Sequence, residues 1–155
     1  MTYTNRTIPV FLGTAAALAL VNILGTIAVN VLVWIGMNQG TDLGQAITAA
    51  VGSPWYQKAS ITTQIFASII GGYMTASLAA NQRYLNAAIV GALQSAWFAI
   101  LHTFPIQGAE FDIISIIIWF VLPLPASVLG AFLYTLLLVP GPAPQHKIST
   151  ENIHG

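Results

Sequence analysis

Long apolar runs alternate with short polar interruptions along this chain, and the interruptions define the elements. The pattern centres on residues 60–104, which read SITTQIFASIIGGYMTASLAA, the polar turn Asn81-Gln82-Arg83, then YLNAAIVGALQSAWFAILHTF. Neither arm carries a formal charge inside it, and each is close to the ~20 residues that one helix needs to cross a bilayer. Both arms place small residues four apart: Ala67/Gly71, Ser68/Gly72, Gly72/Ala76 and Ala76/Ala80 on the first, Ala88/Ala92 and Gly91/Ser95 on the second. In lipid this spacing lets helix backbones approach closely, because packing and interhelical hydrogen bonds replace the hydrophobic effect there. The pair reads as a helical hairpin at the packed centre of the fold, with spans over about 59–80 and 84–104.

The flanking runs extend the same reading. From 8 to 37 the chain is apolar, with Pro9 suited to the first turn of a helix. This run is about twice the ~7–15 residues of a signal-peptide core, so it is expected to be a retained transmembrane helix. At ~1.5 Å per residue it would extend about 45 Å, so it must tilt or protrude from a ~30 Å hydrocarbon core. Between it and the hairpin, residues 42–51 form a short interfacial helix. Asp42 is its N-cap, Leu43, Ala46, Ile47, Ala50 and Val51 share one face, and Gly52 and Pro54 stop it. Trp55 and Tyr56 follow where an aromatic belt would lie. The last apolar run covers 111–139, with Pro123 and Pro125 in its middle. A helix there must kink or break, which a membrane tolerates only where neighbouring protein satisfies the freed carbonyls. Residues 140–155 form a proline-containing, then polar, cytoplasmic tail. The fold class predicted is an all-α integral membrane protein. A single domain over 1–139 holds four transmembrane helices, with the interfacial helix between the first and second.

Composition sharpens this reading and removes several others. The chain is 56% hydrophobic and 5% charged, with a mean hydropathy of +0.78, whereas soluble domains are about 25% charged. A formal net charge of zero leaves no basic patch for nucleic acid and no polybasic segment for anionic lipid. The absence of cysteine excludes disulfides, thiolate metal sites and cysteine nucleophiles. With four spans, Arg6, Arg83 and Lys147 fall on one side and Lys58, Asp42, Glu110 and Asp112 on the other, so the positive-inside rule puts both termini in the cytoplasm. Trp34, Trp55, Trp97 and Trp119 all fall in or near the outer half.

Candidate chemistry lies in polar groups at membrane depth, which are costly unless satisfied. Asn22, Thr26 and Asn30 make a stripe on the first helix, and Gln64, Ser68, Gly71 and Thr75 share a face of the second. Ala87, Gly91, Gln94, Phe98 and His102 lie within roughly 80° on the third, at about 100° per residue. Ser115, Trp119, Ala126, Gly130 and Tyr134 do so more loosely on the fourth. Each of these faces is expected to turn inward, where its polar groups either hydrogen-bond between helices or serve a polar path or a bound headgroup. His102 is the residue that would ligate a haem, chlorin or metal. However, Phe98 one turn before it leaves no room for a macrocycle, and an interfacial histidine near Glu110 and Asp112 is the simpler reading. Those two carboxylates suit the solvated start of the fourth span. No nucleophile elbow, P-loop or HExxH motif occurs, so no catalytic residues, metal site or enzymatic activity are expected. No cofactor is predicted, and nothing indicates a lipid, quinone or chlorin in the small-residue grooves.

The segment Gly71-Gly72-Tyr73-Met74-Thr75-Ala76, with Arg83 at the turn and Ala88 and Gly91 beyond it, resembles a pattern in small uncharacterised bacterial four-helix transmembrane proteins. The resemblance covers residues 71–91 and implies architecture and a bacterial cytoplasmic membrane, with no functional residues to carry over. The leading functional expectation is an accessory subunit of a larger membrane complex, surrounded by lipids and other membrane subunits and packing through small-residue helix faces. A homo-oligomeric channel or transporter lined by Asn22, Asn30, Gln64 and Gln94 is the alternative. A cofactor- or pigment-associated subunit using His102 is the second.

Overall fold

The computed structural model describes residues 4–103 and 113–138, with side chains over 7–100 and 117–138. Among these residues the fold is all helical: α1 (Thr4–Asn38), α2 (Leu43–Gly52), α3 (Pro54–Leu78), α4 (Arg83–Thr103), α5 (Ile113–Val121) and α6 (Pro123–Leu138). By length and composition α1 is long and apolar enough to cross a membrane, over Thr7–Asn38 with a mean hydropathy of 2.2, and α2 and α6 are shorter apolar helices.

Local chemistry explains each boundary. Gly40, at φ 86°, ends α1, with the Gly40 N–H donating to Met37 O (3.0 Å) and the Thr41 N–H to Gly36 O (3.2 Å). These are the two bonds of a Schellman motif, which glycine permits because it adopts positive φ without a Cβ clash. Asp42 then caps α2, its carboxylate accepting from Gln45 N at 3.1 Å. Asp42→Ala is expected to destabilise α2 by about 1 kcal/mol, seen as faster amide exchange at residues 43–46 than in the wild type. Ser53 serves two helices. Its N–H closes the end of α2 on Ala50 O, and its Oγ accepts from Tyr56 N (3.1 Å) as the N-cap of α3. α2 ends at Gly52, as expected, and Pro54 is also the first residue of α3, where a missing N–H is harmless. The second long helix therefore starts five residues earlier than the predicted 59.

α3 sits at the centre and packs against α1, α4 and α6. Glycines set the distances. A Cβ on Gly72 would strike the backbone carbonyl of Ser127, and one on Gly130 would strike the backbone of Ile69 and Tyr73. A Cβ on Gly91 would come within 2.5 Å of the Leu124 Cα, and one on Gly71 within 2.8 Å of Gly13 O. The helices therefore touch backbone to backbone, in the way that small residues spaced four apart allow. At the turn end, Arg83 donates from Nε to Ala79 O (3.2 Å) and stacks over Tyr134 at 5.3 Å, and Tyr134 meets Tyr73 edge-on at 5.4 Å. Tyr84 Oη and Thr135 Oγ1 are 2.7 Å apart, adding a second tie between α4 and α6.

One expected face, that of α1, is corrected. On α1, Asn22, Thr26 and Asn30 are exposed, and the side against α3 is Pro9, Gly13 and Ala17. Asn22 satisfies part of its amide locally by donating from Nδ2 to Leu18 O at 2.7 Å. On α2 only Ala46 and Ala50 are buried, against Val33, while Leu43 and Ile47 are exposed. Close approach of α2 to Gly36 favours the small side chains, since the Gly36 Cβ position lies 3.3 Å from the Ala46 Cβ.

Candidate functional site

The interior is polar at the junction of α3, α4 and the α5–α6 break. Buried alanines supply most of the apolar core, and Gln64, Ser68, Thr75, Asn86, Gln94 and Ser127 are buried among them. The site is built around Pro123. Proline has no N–H, so the carbonyl four residues earlier, Trp119 O, loses its helical donor. Gln64 supplies the replacement, donating from Nε2 to Trp119 O at 2.9 Å. Ser95 Oγ lies 2.7 Å from Phe120 O on the same broken turn and 3.1 Å from its own Gly91 O. Residue Leu122 carries the chain across, its N–H bonded to Ile118 O and its carbonyl to Ala126 N. The expected break at the prolines is present, and neighbouring helices bond its Trp119 and Phe120 carbonyls.

A second layer lies behind the first. Ser68 Oγ donates to Gln94 Oε1 at 2.7 Å between two fully buried side chains, linking α3 to α4. The Gln94 Nε2 and Ser127 Oγ atoms are buried with no protein hydrogen-bond partner among the described residues. Farther along α3, Thr75 Oγ1 bonds its own Gly71 O (2.8 Å) and reaches Pro9 O on α1 (3.3 Å). Phe98 and Trp119 close the α4–α5 side with ring centroids 6.1 Å apart.

The residues singled out from the sequence divide cleanly. Gln64, Ala67, Ser68, Gly71, Gly72 and Ala76 all point inward on α3, as do Gly91 and Gln94 on α4 and Ala126 and Gly130 on α6. Ser95 and Ala88 are half-buried, and Ala92 is exposed, so the Ala88/Ala92 spacing marks no close contact. Asn22 and Asn30 stand outside this interior. The backbone of His102 belongs to α4, but its side chain lies outside the described residues, as do Glu110, Asp112 and the side chain of Ser115. Gly13, Ala17, Asn86 and Ser127 were not anticipated. Gly13 and Ala17 are themselves a small pair four apart, and Ser127 adjoins Ala126, so both signals were present.

Chemically, the seam offers amides and hydroxyls. No group of three or more His, Cys, Asp or Glu able to hold a metal occurs among the described residues. Its function is hydrogen bonding, each bond worth a net ~0.5–1.5 kcal/mol, and the positions of the bonds fix where α5 ends and α6 begins. Comparison of the chain with protein-family models, with curated proteins and with solved structures yields no match.

Proposed function

We propose that the chain is an integral membrane protein with four transmembrane segments and cytoplasmic termini. We further propose that it serves as an accessory, structural subunit of a larger complex in a bacterial cytoplasmic membrane. One observation carries the membrane reading: the distribution of side chains is inverted relative to a protein in water. Among the described residues six polar side chains are buried and thirty large apolar ones are exposed, including Ile8, Phe11, Trp34, Phe66, Val121 and Leu137. Soluble monomers rarely expose contiguous apolar patches beyond a few hundred Å², and lipid is the solvent that suits such a surface. Length agrees. At ~1.5 Å per residue α3 and α4 extend about 37 and 31 Å, enough for a ~30 Å core, and α5 with α6 matches α3. Their mean hydropathy is lowered by Gln64, Ser68, Asn86 and Gln94, which face inward, so the average understates how apolar their outer sides are.

The structural role is supported by what the seam lacks. Its polar atoms hold carbonyls and one another, and no titratable side chain lies within it among the described residues. A conducting path would need Gln64 and Gln94 to border open water, yet they are only 3% and 0% exposed and engaged with Trp119 O and Ser68. The small-residue faces are used within the chain, so contacts to other subunits fall to its outer surface. Leucine at Gly71, Gly72 or Gly91 would therefore disturb the bundle itself rather than a partner interface.

The test is fractionation of the native membrane. The chain is expected to stay with the membrane through an alkaline carbonate wash, then to migrate in mild detergent with other polypeptides at fixed stoichiometry. Release by carbonate would overturn the membrane reading, and a particle of this chain alone would overturn the accessory one.

A further inference from the structure

We propose that α1 pairs in parallel with α1 of a second copy of this chain, across the face formed by Ala15, Ala19, Asn22, Thr26 and Asn30. The inference rests on the membrane reading above. All five residues are exposed. At about 100° per residue they lie within roughly 80° of one another, and the face is centred roughly 140° from the Pro9, Gly13 and Ala17 side that meets α3. Their spacing of four, three, four and four residues follows a coiled-coil seam until its last step.

Depth makes this face unsuited to lipid. Asn22 is at the middle of the apolar stretch Thr7–Asn38, and Asn30 lies about 12 Å from it along the helix, inside a hydrocarbon half-thickness of ~15 Å. The Thr26 hydroxyl and the Asn30 side-chain amide make no hydrogen bond within the chain among the described residues. Asn22 commits one N–H to Leu18 O, leaving its second N–H and its carbonyl oxygen. Hydrocarbon satisfies none of these groups. A carboxamide carries both a donor and an acceptor, so it complements a copy of itself. In a parallel two-fold pair every seam residue meets its own mate at the same depth. A second copy therefore offers an amide opposite Asn22 and another opposite Asn30. Copies inserted with one orientation can pair only in parallel. The face is uncharged, so nothing repels across the axis, and Ala15 and Ala19 let the backbones approach.

The chain contains no cysteine, so single cysteines report contact without background. In native membranes under mild oxidation, Ala19→Cys and Thr26→Cys are expected to give a product of twice the chain mass. Val31→Cys, exposed but about 140° from Thr26 on the same helix, is not. Asn22→Leu with Asn30→Leu in the Ala19→Cys background is expected to lower the dimer yield about tenfold. Cross-linking at Val31→Cys as strong as at Thr26→Cys would overturn the pairing. So would monomers throughout, or a product with a different polypeptide, in a chain that carbonate does not release. Release by carbonate would instead remove the membrane reading, and the inference with it. The leucine pair must also resist carbonate, which separates lost pairing from lost insertion.

Discussion

Gly72→Val is expected to be the most damaging single substitution in the bundle, at about 3 kcal/mol or more. The reason is reciprocal contact. A Cβ on Gly72 would clash with the Ser127 carbonyl on α6, and one on Gly130 with the Ile69 carbonyl and Tyr73 N of α3. Each helix thus presents backbone to backbone, and a rotamer change cannot relieve the overlap. The helices must separate, and the buried Ser68–Gln94 and Gln64–Trp119 bonds lie within the region that would shift. Unfolding in mixed micelles, followed by tryptophan fluorescence, gives the measurement. Gly25→Ala is the matched control, because nothing lies within 4 Å of its Cβ position. There the substitution is expected to be neutral or to stabilise by up to about 1 kcal/mol through helix propensity. Equal losses at the two positions would refute the backbone contact.

Gln64→Leu is expected to cost about 2 kcal/mol, because it removes the Gln64 donor from a buried carbonyl, Trp119 O, whose i+4 residue is a proline. The cause can be isolated. Pro123→Ala restores an N–H four residues after Trp119, so in that background the Gln64 amide becomes dispensable and Gln64→Leu should cost well under half as much. Coupling between the two sites is what a double-mutant cycle reads. A cost that is the same in both backgrounds would mean that Gln64 stabilises the bundle by some other route than this carbonyl.

Much of the helix layout was legible because it rests on local chemistry. Asp42, the Asn81–Arg83 turn and Pro123 mark boundaries through caps and missing donors, and these act over a few residues. The inward side of α3 was legible for a related reason: its small and polar residues recur on one face, while Phe66, Ile70 and Leu78 fall outside it. The orientation of α1 was not. Apolar side chains surround that helix, and its only polar stripe was expected to turn inward with the others. The contact with α3 is decided instead by Pro9, Gly13 and Ala17, whose value comes from the shape of a partner helix far away in sequence. The Gln64–Trp119 bond spans 55 residues and was equally hidden. The sequence announced a broken helix and a polar face separately, with nothing to join them.

The central position of α3 has a consequence for how the chain is made. The N-terminal helices leave the ribosome first, so α1 and α3 can meet while α6 is still being synthesised. Until α5 and α6 arrive, the Gly72 groove has no backbone to fill it and the Gln64 amide has no carbonyl to bind. The newborn protein must therefore pass through a stage in which its best-packed surface is its most vulnerable one. Arrival of the last helix ends that stage.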